Sequence, residues 1–390
     1  MVKKIDDLIA QITRLYEQDQ KNPRQAVMPE DVPISYESIT PEWLTHILCK
    51  DVPGAKVVSY TLDEPDNGSS NRRRIFLSYN AAGQEAGLPK SLFCKASFDL
   101  LNRVMLGVSD CARTEICFYR NVRPEMRIEA PEGVFANYDP ESFTSIVMLK
   151  DLGGQVAFCD HRTEMTLERG LSQVRLLASY HAQFHNDPRI RNGAFGLKSW
   201  PEMWSNQVEN GMEEYTNKGF LGAEEVIPAR LFARYSEVWP VTARSVELHK
   251  GRPQTLTHCD VHLKNWYIRG ETGMGLSDWQ VASSGHWSRD IAYAISTAHT
   301  IENRRLWEEQ LFTTYVEAMK ENGVDMPPME VAWDYYRQQL FSALAFWTVT
   351  LTPAPSQPEM QPKDVTLEFI KRMSAAIDDH DAFDSFKREG

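Results

Sequence analysis

The stretch that decides the reading is Thr257-His258-Cys259-Asp260-Val261-His262-Leu263-Lys264-Asn265, followed by Leu276-Ser277-Asp278-Trp279. An acid, an amide five residues later and a second acid thirteen beyond that are set among short apolar segments. Singly, such residues are turn formers and caps. Together they form a set that phosphoryl transfer requires. One carboxylate orients an attacking hydroxyl and accepts its proton, while an amide oxygen and a second carboxylate hold magnesium against nucleotide phosphates. Magnesium prefers hard oxygen ligands and keeps several waters, so two protein ligands are enough.

Working outward, the flanks divide the chain. Val57 to Leu62 is β-branched and aromatic, Arg74 to Tyr79 alternates apolar and polar, and Ser91 to Ala96 is short and apolar. Thr144 to Leu149 reads as another strand, after a helix containing Glu115, Phe118 and Tyr119. Thr40-Pro41-Glu42 is a helix start: a capping hydroxyl, a first-position proline, an early acid. Beyond Gly153-Gly154 the pattern turns helical, with Leu167 to His185 the clearest run and the region after Trp287 mostly helix. Strands first and helices afterwards predict an α+β protein: a five-stranded antiparallel sheet in an N-terminal lobe and a mostly helical C-terminal lobe. The expected divisions are 1–35, a helical extension ending in a proline-bearing linker from Lys21 to Ser35; 36–150, the sheet lobe; and 151–390, the helical lobe.

The 390 residues suit two lobes. A formal net charge of −12 argues against nucleic acid as a partner, because phosphate backbones demand basic surface. It is compatible with a cationic substrate, although an acidic surface is common among soluble proteins. The six cysteines are scattered, with no CxxC pair and no zinc spacing, as in reduced cytoplasmic proteins. The N-terminus lacks a signal-peptide core, and the apolar run Leu340 to Leu351 is too short to span a bilayer. No membrane partner is expected, and a monomer or weak homodimer is.

The decisive stretch resembles the catalytic loop of the aminoglycoside phosphotransferase and choline kinase superfamily, His-Gly-Asp-Leu-His-Pro-Gly-Asn with a later Ile-Asp-Trp. His258, Asp260, His262 and Asn265 match residue for residue, as do Asp278 and Trp279. The resemblance implies a protein-kinase-like two-lobe fold, with Asp260 as catalytic base, His258 bracing the loop, and Asn265 and Asp278 binding Mg2+. It further implies that Lys95, in Phe93-Cys94-Lys95, holds the α- and β-phosphates of ATP and that Glu115 aims it. Gly68, Ser69 and Ser70 would form the phosphate-covering loop, and Met148, Lys150 and Leu152 the stretch whose backbone reads the adenine edge. His181 and Asp290 match family motifs and read as packing and as a cap or brace. The layout resembles the ecdysteroid-kinase-like branch as much as the aminoglycoside branch. Departures are Cys259 for glycine, Ser277 for an apolar residue, Leu263-Lys264 for Pro-Gly, and Lys150 where many relatives have an acid; none removes a ligand.

The function so implied is transfer of the γ-phosphate of ATP to a hydroxyl of a small acceptor. The alternative is a nucleotide-binding protein of the same fold with lost or residual transfer activity. Trp307, Trp333, Tyr335, Tyr336, Phe341, Phe346 and Trp347 would be core for the most part; any that lined a pocket would suit an apolar or cationic acceptor. Asp378, Asp379, Asp381 and Asp384 cluster beside an expected frayed tail.

Overall fold

The computed structural model describes residues 2–354 and 359–389. It separates into two compact units, Met1–Glu125 with Pro131–Gly153, and Met126–Ala130 with Gly154–Gly390.

The first unit is built on an antiparallel sheet. Its strands are β1 (Val57–Leu62), β2 (Asp66–Asn67), β3 (Asn71–Tyr79), β4 (Ser91–Ala96), β5 (Gly133–Tyr138) and β6 (Ser145–Lys150). They run in the order β1-β3-β4-β6-β5, a five-stranded path as expected although β5 is not among the strands read from the sequence, with the two-residue β2 added on β3. The sixth strand arises because β3 begins at Asn71 rather than Arg74, so the turn-rich segment before it folds back into the ladder. Period-two alternation explains β3: Ile75, Leu77 and Tyr79 are buried, while Phe76 and Ser78 are exposed. That face packs on Trp43 and Leu44 of the helix Pro41–Leu48, together with Leu92, Cys94, Ile146 and Met148.

Residues 21–35 are not a loose linker. Ala26 and Val32 sit in the same apolar cluster as the sheet. Thr40 explains how they are held. Its hydroxyl accepts from Trp43 N at 3.1 Å, capping the helix, and donates to Ala26 O at 2.6 Å. Trp43 Nε1 donates to Asp31 O at 3.2 Å. Earlier still, the helix Val2–Lys21 buries Ile12 and pairs Asp19 with the buried Arg103 of helix Leu100–Ser109 at 2.7 Å.

The second unit is mostly helical. It holds three short strands, β7 (Ala157–Phe158), β9 (Trp266–Arg269) and β10 (Gly273–Leu276), ordered β10-β9-β7, and a pair of β8 (Thr255–Thr257) with β11 (Ser283–Gly285). These strands place the loop 258–265 between β8 and β9, and the loop 277–282 between β10 and β11. The long helices Leu167–Gln183, Ser288–Ala298, Ile301–Glu321, Met329–Leu351 and Lys363–Asp379 enclose them. Among the described residues no helix is long and apolar enough to cross a membrane.

The acidic C-terminal cluster is neither frayed nor open. Asp379 pairs with Arg304 and Arg305, Asp378 and Asp381 with Arg230, and Asp384 with Lys387. Each of these four carboxylates has a basic partner, Arg230 serving two of them.

Thr40→Ala removes a cap and a tether together. It is expected to cost about 1–2 kcal/mol in urea denaturation, most of it restored by Thr40→Ser. An unchanged midpoint for Thr40→Ala would show that the hydroxyl does not hold the 21–35 segment.

Candidate active site

The loop 258–265 is fixed by one buried carboxylate. Asp290 stands in the first turn of helix Ser288–Ala298. Its Oδ2 accepts from His258 N at 2.6 Å and Tyr180 Oη at 2.7 Å, and its Oδ1 from Cys259 N at 2.8 Å. His181 Nε2 approaches the same Oδ2 at 3.2 Å. Burial by itself would raise this carboxyl. The His181 and Tyr180 hydrogen bonds and the nearby His258 outweigh it and hold the pKa at about 2. His181 is neutral, since burial lowers its pKa, with Nε2–H facing Asp290 and Nδ1 accepting from Tyr315 Oη at 2.8 Å. So Asp290 braces the loop rather than capping its own helix, where Trp287 is the N-cap residue.

The loop turns at Cys259, whose φ of 65° lies in the left-handed region that glycine enters freely. A side chain there costs about 1 kcal/mol. Cys259 offsets that cost by contact: its Sγ lies 3.2 Å from Thr257 Oγ1 and 3.1 Å from Ser283 Oγ. Burial pushes the thiol up to about 12, so it is a protonated packing group.

Asp260 follows. His258 accepts from Asp260 N at Nδ1, 3.2 Å, and donates from Nε2 to Ser277 O at 2.9 Å, which sets its tautomer and bridges the two loops. Burial lowers the His258 pKa, so the ring is neutral. The Asp260 carboxylate accepts from Tyr293 Oη at 3.0 Å and lies 3.5 Å from His262 Nε2. Burial opposes its ionisation, but His262, His258 and Tyr293 together hold it below the usual carboxylate range. Asn265 Nδ2 donates to Asp260 O at 2.7 Å. Ser277 then donates twice to Asn265 O, from N at 2.8 Å and Oγ at 2.9 Å. The hydroxyl that departs from the family pattern thus adds a second tie between the loops. Leu276 pairs with Trp266 across β9 and β10, which sets Asp278 close along the chain to the backbone beside Asn265. Asp278 itself has a φ of 65°.

In the first unit, Lys95 Nζ donates to Glu115 Oε1 at 2.6 Å, and both side chains are buried. Gly68 is exposed, Ser69 half-buried and Ser70 buried. The loop hangs on Asn71, the residue that ends it. Its Oδ1 accepts from Phe98 N at 2.8 Å and Asp99 N at 2.9 Å, and its Nδ2 donates to Asp99 Oδ2 at 2.6 Å. Asn102 Nδ2 donates to Gly68 O at 2.7 Å. Ser70 Oγ is buried, with no hydrogen-bond partner among the described residues. Met148 is wholly buried in β6, flanked by β4 and β5; Lys150 pairs with Glu132 at 2.5 Å, and Leu152 is half-buried beyond the strand.

The aromatic residues are mostly core. Phe346 packs on Trp200 and Trp204, Trp333 on Tyr336 and Phe312, Phe341 on Phe383. Arg289 lies 4.7 Å from the Trp200 and Tyr293 ring centroids and 5.1 Å from Phe346, so these three rings hold the protein's own cation. Tyr293 and Trp347, neither of which sequence reading linked to Asp260, reach it as a pair. Tyr293 lies three residues after Asp290, a spacing that shares a helix face; Trp347 carried no local signal.

The depressed Asp290 pKa has a sign. Its contribution to stability is present above about 4, the unfolded value, and is lost as pH falls through the folded value of about 2. Asp290→Asn turns an amide toward buried N–H donors and is expected to cost about 3 kcal/mol or more at pH 7. The gap to wild type should narrow as the pH of denaturation is lowered from 5 toward 2. A gap that stays constant over that range would contradict an ionised Asp290.

Residues 146–326 match the family model described as the phosphotransferase enzyme family. No curated protein matches the sequence. Among solved structures, a protein from Ralstonia eutropha provisionally named an aminoglycoside phosphotransferase is 12% identical, with a TM-score of 0.50 over 88% of this chain and 97% of that one. The macrolide 2'-phosphotransferase of Brachybacterium faecium is 14% identical, with a TM-score of 0.45 over 78% and 92%. The ethanolamine kinase of Plasmodium vivax is 11% identical, with a TM-score of 0.45 over 94% and 93%. At such identities the likeness is one of fold, and it rests on the first of the three. The matched span, residues 146–326, is the one that carries Asp260, Asn265, Asp278 and Asp290, and over it the chain is similar to the phosphotransferase enzyme family.

Proposed function

We propose that this protein is a small-molecule kinase that moves the γ-phosphate of ATP to a hydroxyl of a small acceptor. The observation that carries the reading is the half-buried Asp260 carboxylate, beside Asn265 on a loop that Ser277 ties to the segment bearing Asp278.

The donor set fits magnesium. Asn265 uses its amide nitrogen on Asp260 O, which leaves Oδ1 as its ligand atom, and Asp278 supplies a carboxylate. Among the described residues no group of three or more His, Cys, Asp or Glu is arranged to hold a metal, which suits an ion that keeps most of its water. Bound there, magnesium would neutralise charge on the nucleotide phosphates.

The chain's own groups divide the remaining work. Lys95, aimed by Glu115, meets the α- and β-phosphates. The backbone of Gly68 and Ser69 and the hydroxyl of Ser70 cover the phosphate chain, and a phosphate oxygen would satisfy Ser70 Oγ. Backbone groups near Lys150 and Leu152, with Met148 behind them, meet the base. His258 braces the loop. Asp260 orients the acceptor hydroxyl and takes its proton as the new O–P bond forms and the bond to the bridging oxygen breaks, releasing ADP. A cytoplasmic protein without nucleic-acid or membrane partners, acting as a monomer or weak homodimer, accords with the acidic charge and the scattered cysteines.

Asp260→Asn is expected to slow transfer by roughly 10²–10⁴-fold and to leave ATP affinity near normal by calorimetry. Turnover equal to wild type would remove Asp260 as the base, and loss of ATP binding would move it to the nucleotide site. Asp278→Ala should abolish most of the magnesium-dependent part of nucleotide binding; an unchanged magnesium dependence would refute the metal assignment.

A further inference from the structure

The two oxygens of the Asp260 carboxylate are held unequally. Oδ1 accepts a hydrogen bond from Tyr293 Oη at 3.0 Å. Donor chemistry sets its direction. An indole N–H only donates, and Trp347 Nε1 gives its hydrogen to Tyr293 Oη at 2.7 Å. The phenol oxygen is therefore an acceptor toward Trp347, and its own hydrogen goes to Asp260. Burial keeps Tyr293 a phenol, raising its pKa well above the ordinary value. Among the described residues, Oδ2 has long approaches only, from Asn265 Nδ2 at 3.4 Å and His262 Nε2 at 3.5 Å. At such lengths hydrogen bonds contribute little.

The anchor is itself rigid. Tyr293 and Trp347 are 1% and 3% exposed. The Tyr293 ring lies against the Arg289 guanidinium, which donates to Cys259 O at 3.0 Å and Ser342 Oγ at 3.2 Å. Trp347 packs on Phe369 with ring centroids 4.4 Å apart. A phenol so enclosed has one rotamer and one hydrogen-bond direction.

We infer that Tyr293, fixed by Trp347, is the positioning residue for Asp260: it anchors Oδ1 and so assigns Oδ2 as the oxygen that meets the acceptor hydroxyl. In the reaction the acceptor oxygen bonds to the γ-phosphorus and its proton passes to Oδ2. The electron pair of the broken P–O bond leaves with ADP. Without the Tyr293 bond the carboxylate could rotate about its Cβ–Cγ axis and present either oxygen, or neither, in line with the hydroxyl. The inference rests on the reading of Asp260 as the base, and its test separates the two.

The test uses Tyr293→Phe, Trp347→Phe and their combination, each with Asp260 intact and with Asp260→Ala. Magnesium-dependent phosphate release from ATP is measured with water as acceptor, alongside transfer to the fastest alcohol in a panel. ADP affinity by calorimetry and the urea midpoint accompany each variant. Tyr293→Phe is expected to lower kcat by about 10–100-fold, while KM for ATP and ADP affinity move by less than about threefold. Trp347→Phe, acting through Tyr293, should cost about 3–10-fold, and the pair no more than Tyr293→Phe alone. With Asp260→Ala neither change should cost anything further. A Tyr293→Phe enzyme within about twofold of wild type would overturn the inference, as would losses that persist unchanged in the Asp260→Ala background. Should Tyr293→Phe fail to fold, Trp347→Phe decides on the same criteria. If Asp260→Ala itself leaves phosphate release and transfer at wild-type rates, the base assignment fails rather than the anchoring. Wild-type protein that neither releases nor transfers phosphate overturns both.

Discussion

Everything in the catalytic loop depends on one buried anion. Asp290 takes the backbone N–H groups of His258 and Cys259, the phenol of Tyr180 and the ring of His181. Those donors come from the loop and from helix Leu167–Gln183, while Asp290 belongs to helix Ser288–Ala298, so one carboxylate joins three elements. An unpaired charge in that position would cost several kcal/mol. With its oxygens fully engaged, it instead fixes the backbone immediately before Asp260. The left-handed turn at Cys259 is tolerated because its N–H, carbonyl and thiol are each bonded, to Asp290, Arg289 and the Thr257–Ser283 hydroxyls.

Charge elsewhere is used in two distinct ways. Pairs such as Arg230 with Asp378 or Lys218 with Glu214 have exposed partners and add little to stability. Lys95 with Glu115 is different, because both side chains are almost fully buried. A hydrophobic pair of the same volume would serve folding as well or better. The proposed contact of Lys95 with phosphate would account for keeping two charges in that place. Arg289 is a third case: a buried cation held by three rings and two oxygens, which ties helix Ser288–Ala298 to the catalytic loop and to helix Met329–Leu351.

The fold was legible where local chemistry dominates. Val57–Leu62 and Ser91–Ala96 occupy the expected residues, and Thr40 caps its helix as its sequence demands. Asp260, Asn265 and Asp278 stood out because their types and spacing are rare together. What stayed hidden was long-range. Proline-bearing 21–35 resembled a linker because its ties, Thr40 to Ala26 and Trp43 to Asp31, are tertiary. Asn71 looked like one more turn residue until Phe98 and Asp99 supplied the N–H groups it accepts. Trp347 lies 54 residues from Tyr293, and no window of sequence joins them. The aromatic residues after Trp287 suggested a place for a cation, and Arg289 fills the cage that three rings of the unit form.

The central claim is that this chain transfers phosphate from a nucleotide to a hydroxyl. Phosphorus NMR of the wild-type protein with ATP, followed with and without magnesium against a panel of amino alcohols, aminoglycosides and sterol-like alcohols, tests it most directly. The account predicts that, with magnesium and at least one alcohol, the γ-phosphate resonance decays while ADP and a phosphate monoester grow in equal amounts. Tight magnesium-dependent binding of ATP with no monoester across the panel, and no phosphate release to water, would contradict it and leave a nucleotide-binding module of the same fold.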